Sequence, residues 1–252
     1  MKRELLVVLA LCLLIGSVRW GWAGELTSEQ AKAVAAIQKL GGEVTIDEKD
    51  PDGPVITVDL TATSITDAEL ELLKGLTQLR ELELGFTEVT DAGLERLKGL
   101  TQLRRLNLRR TKITDAGLEH LKGMTQLQRL TLRSTEITGA GLAHLKGMTQ
   151  LQRLYLRRTA IADAGLVYLK GFTQLRELDL GFTNVTGAGL KDLEGLKQLE
   201  RLGLNCTKIT DAGLVYLKGF TQLRELDLGV TNVTGAGLKD LQDALPNCEI
   251  RH

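Results

Sequence analysis

The sequence predicts an α/β solenoid in which parallel strands line one wall and short helices line the other. Three observations lead to this fold class. A 24-residue unit recurs eight times from residue 52 to residue 243, each unit opens with leucines at the alternating spacing of a strand, and each closes with a short helical pattern. Strands stack about 4.8 Å apart whereas packed helices need about 8–10 Å, so the stack must curve. We therefore expect a horseshoe with its strands on the concave face and its helices on the convex face.

The unit is clearest at residues 76–99, which read LTQLRELELGFTEVTDAGLERLKG. Leu82 and Leu84 alternate with polar residues, so they predict a short strand whose leucines face inward. Thr90 is a favourable N-cap for the helical half, and we expect Gly99 to end that helix in the left-handed conformation.

The pattern LxxLxLxxTxI resembles the leucine-rich repeat, with threonine where asparagine or cysteine is usual. The half that reads ITDAGLxxLKG resembles the repeats of secreted bacterial leucine-rich-repeat proteins and also those of F-box substrate receptors. The resemblance covers residues 52–243 and implies a recognition scaffold. A hydroxyl after each strand can bond backbone groups of the following turn, so we interpret the threonine column as structural. It consists of Thr63, Thr87, Thr111, Thr135, Thr159, Thr183, Thr207 and Thr231.

The segments on either side of the repeats are expected to cap the solenoid, because an open stack would expose its terminal core. Residues 24–51 are predicted to form an N-terminal cap of one helix and one strand. Thr27-Ser28-Glu29-Gln30 has the spacing of a capping box, and the helix should run to Leu40. Residues 43–47 follow as a strand. Residues 244–252 are expected to add a truncated ninth strand as a C-terminal cap.

Residues 1–23 have the order of a signal peptide. Lys2 and Arg3 precede an apolar run from Leu5 to Ile15, and a small-residue cleavage site follows at residues 21–23. The run is too short to span a bilayer, which needs about 20 residues. We therefore expect export to the periplasm or the cell exterior with no membrane span in the mature chain. An uncleaved N-terminal anchor is the alternative.

Composition and motifs favour binding over catalysis. The chain carries 32 basic and 32 acidic residues, so no overall field points to nucleic acid or membrane. The sequence has no P-loop, dinucleotide-binding glycine motif, zinc-type CxxC or nucleophile elbow. Residues 163–194 and 211–242 differ at two positions only, and such interchangeable copies do not suit a catalytic site. We predict no catalytic residue, cofactor or metal, and we expect the last four repeats to add length.

Two smaller clusters allow a second interpretation. His120 and His144 share a helix column in neighbouring repeats, with Glu119 nearby, which could begin a metal site. Other repeats place residues of every class in that column, which favours a variable solvent-facing position. Cys206 and Cys248 are predicted to lie about 10 Å apart, beyond the ~7 Å limit of a disulfide, so we expect free thiols.

The outward positions of the concave wall differ most between repeats. One column carries Arg109, Arg133 and Arg157 in successive repeats, with no acid in the same column. Like charges side by side on a sheet are unfavourable, so folding alone does not explain this column. Arg110 and Arg158 lie in the next column, which we also expect to face outward. The predicted partner-binding surface on repeats three to five consists of Arg105, Arg109, Arg110, Arg129, Arg133, Arg153, Tyr155, Arg157 and Arg158.

A solvated wall without function is the simplest alternative for part of this surface. Glu81 can pair with Arg105, and Glu177 can pair with Arg153 and Arg201, and exposed pairs of this kind contribute only ~0–1 kcal/mol.

The predicted function is non-catalytic binding of a protein partner with an acidic surface or peptide, outside the cytoplasm. An acidic glycan or other polyanion of the cell envelope is the alternative partner. A ubiquitin-ligase-type substrate receptor is disfavoured, because nothing upstream of the repeats resembles an F-box and the leader indicates export. Nucleic acid is disfavoured by export and by the balanced charge.

Overall fold

A computed structural model describes residues 26–50 and 53–252. Within them one sheet runs the length of the molecule, with its strands in chain order. The first pair is antiparallel and the later pairs are parallel, so each repeat adds one strand to the same edge. This arrangement confirms the predicted α/β solenoid. The predicted signal peptide, residues 1–23, lies outside the described residues.

The strands are short and in register. Glu81 lies opposite Arg105, and Arg105 lies opposite Arg129, so each residue pairs with its equivalent one repeat further on. The columns read from the sequence are therefore rows of neighbouring side chains. The strands are β1 (Glu43–Ile46), β2 (Val55–Asp59), β3 (Glu81–Glu83), β4 (Arg105–Asn107), β5 (Arg129–Thr131), β6 (Arg153–Tyr155), β7 (Glu177–Asp179), β8 (Arg201–Gly203), β9 (Glu225–Asp227) and β10 (Glu249–Arg251).

The convex wall consists of short helical turns. The α-helices are α1 (Ser28–Lys39), α2 (Asp91–Arg96), α3 (Asp115–Leu118), α4 (Asp163–Leu166), α5 (Gly187–Leu190), α6 (Asp211–Leu214) and α7 (Gly235–Ala244). Single turns of 3₁₀-helix stand in place of an α-helix or extend it at Glu69–Leu73, Glu119–Leu121, Gly141–Leu145, Val167–Gly171, Lys191–Leu193 and Val215–Leu217.

The helical half of the repeat ends differently from the prediction. Thr90 caps α2 as expected, because its hydroxyl accepts from the Ala92 N–H at 3.3 Å. The left-handed conformation expected at Gly99 is wrong: among the described glycines only Gly41 and Gly53 have positive φ. The chain instead continues in right-handed turns, with the Leu100 N–H donating to the Leu97 carbonyl at 2.9 Å. That turn carries Leu100 directly into the core.

A single hydrophobic core fills the space between the two walls. The leucines of the strands and helices are almost completely buried, and the core is continuous from Ile37 in α1 to Cys248 before β10. α1 begins with the predicted capping box, in which the side chains of Thr27 and Gln30 each accept from the other's backbone N–H. α1 thus packs against the first repeat. At the other end β10 pairs in parallel with β9.

The eight threonine hydroxyls satisfy carbonyl groups in the turn after each strand. Thr63 donates to the Leu60 carbonyl at 2.7 Å, and Thr231 donates to the Leu228 carbonyl at 2.7 Å. The six threonines between them make the same bond over 2.5–2.7 Å. Each hydroxyl therefore gives a carbonyl group of the turn a hydrogen-bond partner.

An aspartate at the start of the helical half joins one repeat to the next. The Asp91 carboxylate accepts from the backbone N–H of Thr114 at 2.9 Å and from its hydroxyl at 2.6 Å. We call this arrangement the Asp–Thr clamp. Gly139 and Gly187 replace the aspartate at two junctions, which therefore have no clamp. The clamps are Asp67–Thr90, Asp91–Thr114, Asp115–Thr138, Asp163–Thr186 and Asp211–Thr234.

Candidate binding surface on the concave wall

In each of the eight repeats, the third residue after the strand has a left-handed backbone conformation. The structure corrects the prediction that two columns of arginines are outward strand positions, because these residues lie in the turns after β4, β5 and β6. They are Arg109, Arg133 and Arg157 of one column and Arg110 and Arg158 of the next. In seven of the eight turns, from Ala62 to Cys206, the N–H of the left-handed residue donates to a carbonyl of the next repeat, as the Arg110 N–H donates to the Arg133 carbonyl at 2.9 Å. The eight residues, with φ from +53° to +61°, are Ala62, Phe86, Arg110, Ser134, Arg158, Phe182, Cys206 and Val230.

Two phenylalanines at these turns hold four of the predicted arginines. The guanidinium carbons of Arg109 and Arg110 lie 4.8 and 5.2 Å from the centre of the Phe86 ring. Those of Arg157 and Arg158 lie 4.4 and 4.7 Å from the Phe182 ring. A cation over a ring face is attracted by about 0.5–1 kcal/mol at an exposed site, so these contacts restrict the arginines without neutralising them.

Tyr155 holds a third pair of arginines. The guanidinium carbons of Arg129 and Arg133 lie 5.2 and 4.8 Å from its ring centre. The phenol donates to a Glu177 carboxylate oxygen at 2.5 Å. Burial raises the pKa of Tyr155, and the hydrogen bond to Glu177 raises it further. The phenol therefore stays protonated and keeps the ring fixed between the two guanidinium groups.

Ion pairs neutralise three arginines of the surface. Arg105 pairs with Glu81 at 3.1 Å and Arg153 pairs with Glu177 at 3.0 Å, which are the pairs expected from the columns. Arg133 pairs with Asp179 at 2.6 Å, two strands further on. The column of Arg133 contains no acid, as expected, and its ion pair is with a residue of another column.

Arg157 also reaches two strands along the wall. Its guanidinium donates to the Asn205 side-chain oxygen at 2.8 Å and passes over Gly181. A Cβ at Gly181 would lie 2.8 Å from the Arg157 nitrogen, so the glycine leaves the space for this crossing. The later repeats thus supply Phe182, Asp179 and Asn205 to the surface, which corrects the view that they only add length.

Five arginines of the predicted surface have no ion pair within the described residues: Arg109, Arg110, Arg129, Arg157 and Arg158. Together with the paired arginines they form the arginine patch, defined as Arg105, Arg109, Arg110, Arg129, Arg133, Arg153, Arg157 and Arg158. The patch lies on three adjacent repeats and carries a local excess of positive charge that the balanced composition does not reveal.

Acidic residues without an ion pair lie on both sides of the patch. Asp59 and Glu83 are on β2 and β3, and Asp227 is on β9. Asp59 accepts from the Thr61 N–H at 2.8 Å, and Asp227 accepts from the Gly229 N–H at 3.0 Å. Burial raises the pKa of Glu83, and the nearby carboxylate of Asp59 adds to this effect.

A shallow depression borders the patch on the strands from β6 to β10. Its volume is about 200 Å³, and Tyr155, Arg157, Asp179, Gly203 and Asp227 are among its lining residues. Gly203 has no side chain, so the depression is deepest between Asp179 and Asp227, which lie on the strands on either side. The depression has a mixed lining, because Arg157, Arg201 and Arg251 also face it and Asp179 is paired with Arg133.

The two smaller clusters lie outside this surface. Within residues 26–50 and 53–252, no group of three or more His, Cys, Asp or Glu side chains could hold a metal ion. The His120 Nδ1 is buried and has no hydrogen-bond partner. Cys206 and Cys248 are free thiols, in accordance with their expected separation.

The comparison with known protein families agrees with this geometry. A family described as a leucine-rich repeat region matches residues 58–249. The chain belongs to the leucine-rich-repeat family. Internalin C2 from Listeria monocytogenes is similar in structure, with a TM-score of 0.62, 24% identity, and coverage of 86% of this chain and 92% of that chain. At this identity the likeness shows a shared fold. No curated protein matches the sequence.

The leucine-rich-repeat family is defined by its repeats, and the matched region brings no catalytic family with it. No helix in the described part of this leucine-rich-repeat protein is long and apolar enough to cross a membrane. The surface residues that sequence reasoning missed are Phe86, Phe182, Asp179 and Asn205. The signal for Phe86 and Phe182 was present, since they are the large aromatic residues of the turn column.

Proposed function

We propose that this leucine-rich-repeat protein binds an acidic segment of a protein partner with the arginine patch. The observation that carries the proposal is the set of five arginines without ion pairs, each within 5.2 Å of an aromatic ring centre. Arginines held in place lose little side-chain entropy when they bind, and arginine next to aromatic residues is typical of binding hot spots.

The surroundings of the patch favour a protein over a long polyanion. Phe86 and Phe182 remain 41% and 38% exposed, so the patch offers apolar contacts beside its charges. Asp59, Glu83 and Asp227 would repel a uniformly anionic chain that extended past the patch. An acidic peptide segment can be short and can present apolar or basic side chains on either side, whereas a repeating acidic glycan cannot.

We also propose that binding takes place outside the cytoplasm. The order of charge, apolar run and small residues in residues 1–23 supports export, with cleavage after Ala23.

Two triple variants of equal charge change test the proposal. Arg109→Ala, Arg129→Ala and Arg157→Ala remove three arginines that have no ion pair, so no acid is left without its partner. In the control, Lys122→Ala, Lys146→Ala and Lys170→Ala remove three charges from the helical halves of the same repeats. The probe is a fluorescent hexaglutamate peptide, and the readout is its anisotropy during titration with each protein.

The arginine variant should bind the peptide at least about tenfold more weakly than the wild type, which is ~1.4 kcal/mol. The lysine variant should bind it within about twofold, because screening limits the effect of distant exposed charges. Equal losses in both variants would show a response to net charge alone and would refute the proposal. Tighter binding of a long sulfated polysaccharide than of any acidic peptide would replace it with the glycan alternative.

A further inference from the structure

The concave wall has a mirror-like order about the fourth repeat. Three columns read almost the same in both directions from their central residue. They are Glu81–Arg105–Arg129–Arg153–Glu177, Gly85–Arg109–Arg133–Arg157–Gly181 and Phe86–Arg110–Ser134–Arg158–Phe182. The two near-identical segments, residues 163–194 and 211–242, both lie on one side of the centre, so copying between them does not supply the matching residues of the second repeat.

The charges left over after ion pairing also alternate along the wall, although the second acidic side, at Asp227 on β9, lies beyond the mirrored columns. Arg105 and Arg153, on either side of the centre, are neutralised outward by Glu81 and Glu177. What remains is positive on repeats three to five and negative on both sides, at β2 and β3 and again at β9. A ligand that crosses the whole wall therefore meets acidic, basic and acidic potential in turn.

On the acidic side formed by β2 and β3, the carboxylate of Glu83 is in an unfavourable environment. Glu83 lies among Asp59 and Glu81, and their like charges add to burial in raising its pKa. Arg129 opposes the rise, but no arginine forms an ion pair with Glu83 in the described chain. A cation from outside would favour the charged form of Glu83, because Arg129 and the hydrogen bond with Asn107 offset its burial and the nearby carboxylates only in part.

We propose that the wall reads the order of charges along an extended peptide segment, with acidic residues in the centre and basic residues at both ends. This inference rests on the proposed function, since the acidic centre is held by the arginine patch. β3 and β9 are six strand positions apart, which is about 29 Å at ~4.8 Å per step or about nine residues of extended chain.

The experiment compares two peptides of about eleven residues with identical composition. One has an acidic run between two lysine pairs, and the permuted peptide has its lysines in the centre and its acids at the ends. Each is titrated with wild type, with the triple arginine variant above, and with a flank variant that combines Asp59→Asn, Glu83→Gln and Asp227→Asn. Asparagine and glutamine keep the oxygen acceptors that these side chains use in the fold.

The wild type should prefer the peptide with basic ends by at least about tenfold, and the flank variant should bind the two peptides within about twofold of each other. If the wild type binds both equally while the arginine variant loses both, the inference is overturned and the proposed function stands. A preference retained in full by the flank variant also overturns the inference. If the arginine variant loses neither peptide, the proposed function and this inference both fail.

Discussion

At the scale of single residues, the left-handed turns are the least comfortable positions of the fold. Residues with a Cβ pay about 1–2 kcal/mol in this conformation, and a β-branched residue is the least suited to it. Val230 has φ +58° and is 80% exposed, so its side chain gains little from burial. The other seven turns are held by a backbone hydrogen bond to the next repeat, and the column places Phe86 and Phe182 against the arginines.

Val230→Gly should therefore increase the free energy of unfolding by about 1 kcal/mol, because glycine adopts positive φ without steric cost. Urea denaturation measures the change. The matched control is Val215→Gly, at an exposed helical position with φ −56°. There the substitution should destabilise the protein by about 0.5 kcal/mol. Destabilisation by both substitutions would contradict the strain assigned to Val230.

The raised pKa of Glu83 predicts how the stability of the fold depends on pH. Burial and neighbouring carboxylates raise the pKa of Glu83 in the folded state, so its contribution to stability is present at low pH and is lost as pH rises through that pKa. Glu83→Gln should raise the melting temperature at pH 7, and the gain should vanish below the ordinary glutamate pKa of about 4.3.

Glu119 serves as a control for Glu83, because its pKa is shifted in the opposite direction. The hydrogen bond from Lys122 lowers the pKa of Glu119, so its contribution is present above the ordinary pKa and is lost as pH falls. Glu119→Gln should lower the melting temperature at pH 7 and have little effect in acid. The account of Glu83 fails if its variant follows the pH dependence of the Glu119 variant.

At the scale of elements, the Asp–Thr clamp explains how very short helices remain ordered. A helix of four residues has almost no stability of its own. The clamp fixes the first turn of α2, α3, α5 and α7 to the preceding coil. α4 and α6 have no clamp, and the burial of Leu166 and Leu214 holds them against the core. Where Gly139 replaces the aspartate, the partner position is Ala162 in place of threonine. At the other unclamped junction, Gly187 faces Thr210, so the threonine is kept there without its aspartate.

Thr186→Ala and Thr210→Ala separate the clamp from simple capping. The Thr186 hydroxyl donates to Asp163 at 2.6 Å and accepts from the Ala188 N–H at 3.2 Å. Thr210 faces Gly187 and makes no side-chain cap bond. We expect Thr186→Ala to cost about 1–2 kcal/mol in urea denaturation and Thr210→Ala less than about 0.5 kcal/mol. Equal costs would show that the clamp adds nothing.

The sequence predicted the elements well where the cause is local. The leucine spacing gave the strands and their register, and the capping box at Thr27 gave the start of α1. The end of the helical half was predicted wrongly. Gly99 is followed by Leu100, and the burial of Leu100 in the core outweighs the local preference of glycine for the left-handed conformation. The clamp went unrecognised because Asp91 and Thr114 belong to different repeats and meet only when the coils stack.

At the scale of the whole molecule, the net charge is zero, but the positive charges are concentrated on the concave wall of repeats three to five. The repeat register brings the arginine column together, so a sequence argument can find Arg109, Arg133 and Arg157. Their partners depend on how far a side chain reaches along a curved wall. The contact of Arg157 with Asn205 requires the gap at Gly181, and no column of the sequence contains that information.

The central claim is that an acidic segment binds on the concave wall of repeats three to five. The most direct measurement is photo-cross-linking of an acidic peptide to the protein, followed by mass spectrometry of the labelled fragments. We expect cross-links within residues 105–110, 129–134 and 153–158, and their loss at high salt. Cross-links concentrated on the convex helices, at residues 115–121, 141–145 and 163–171, would contradict the account.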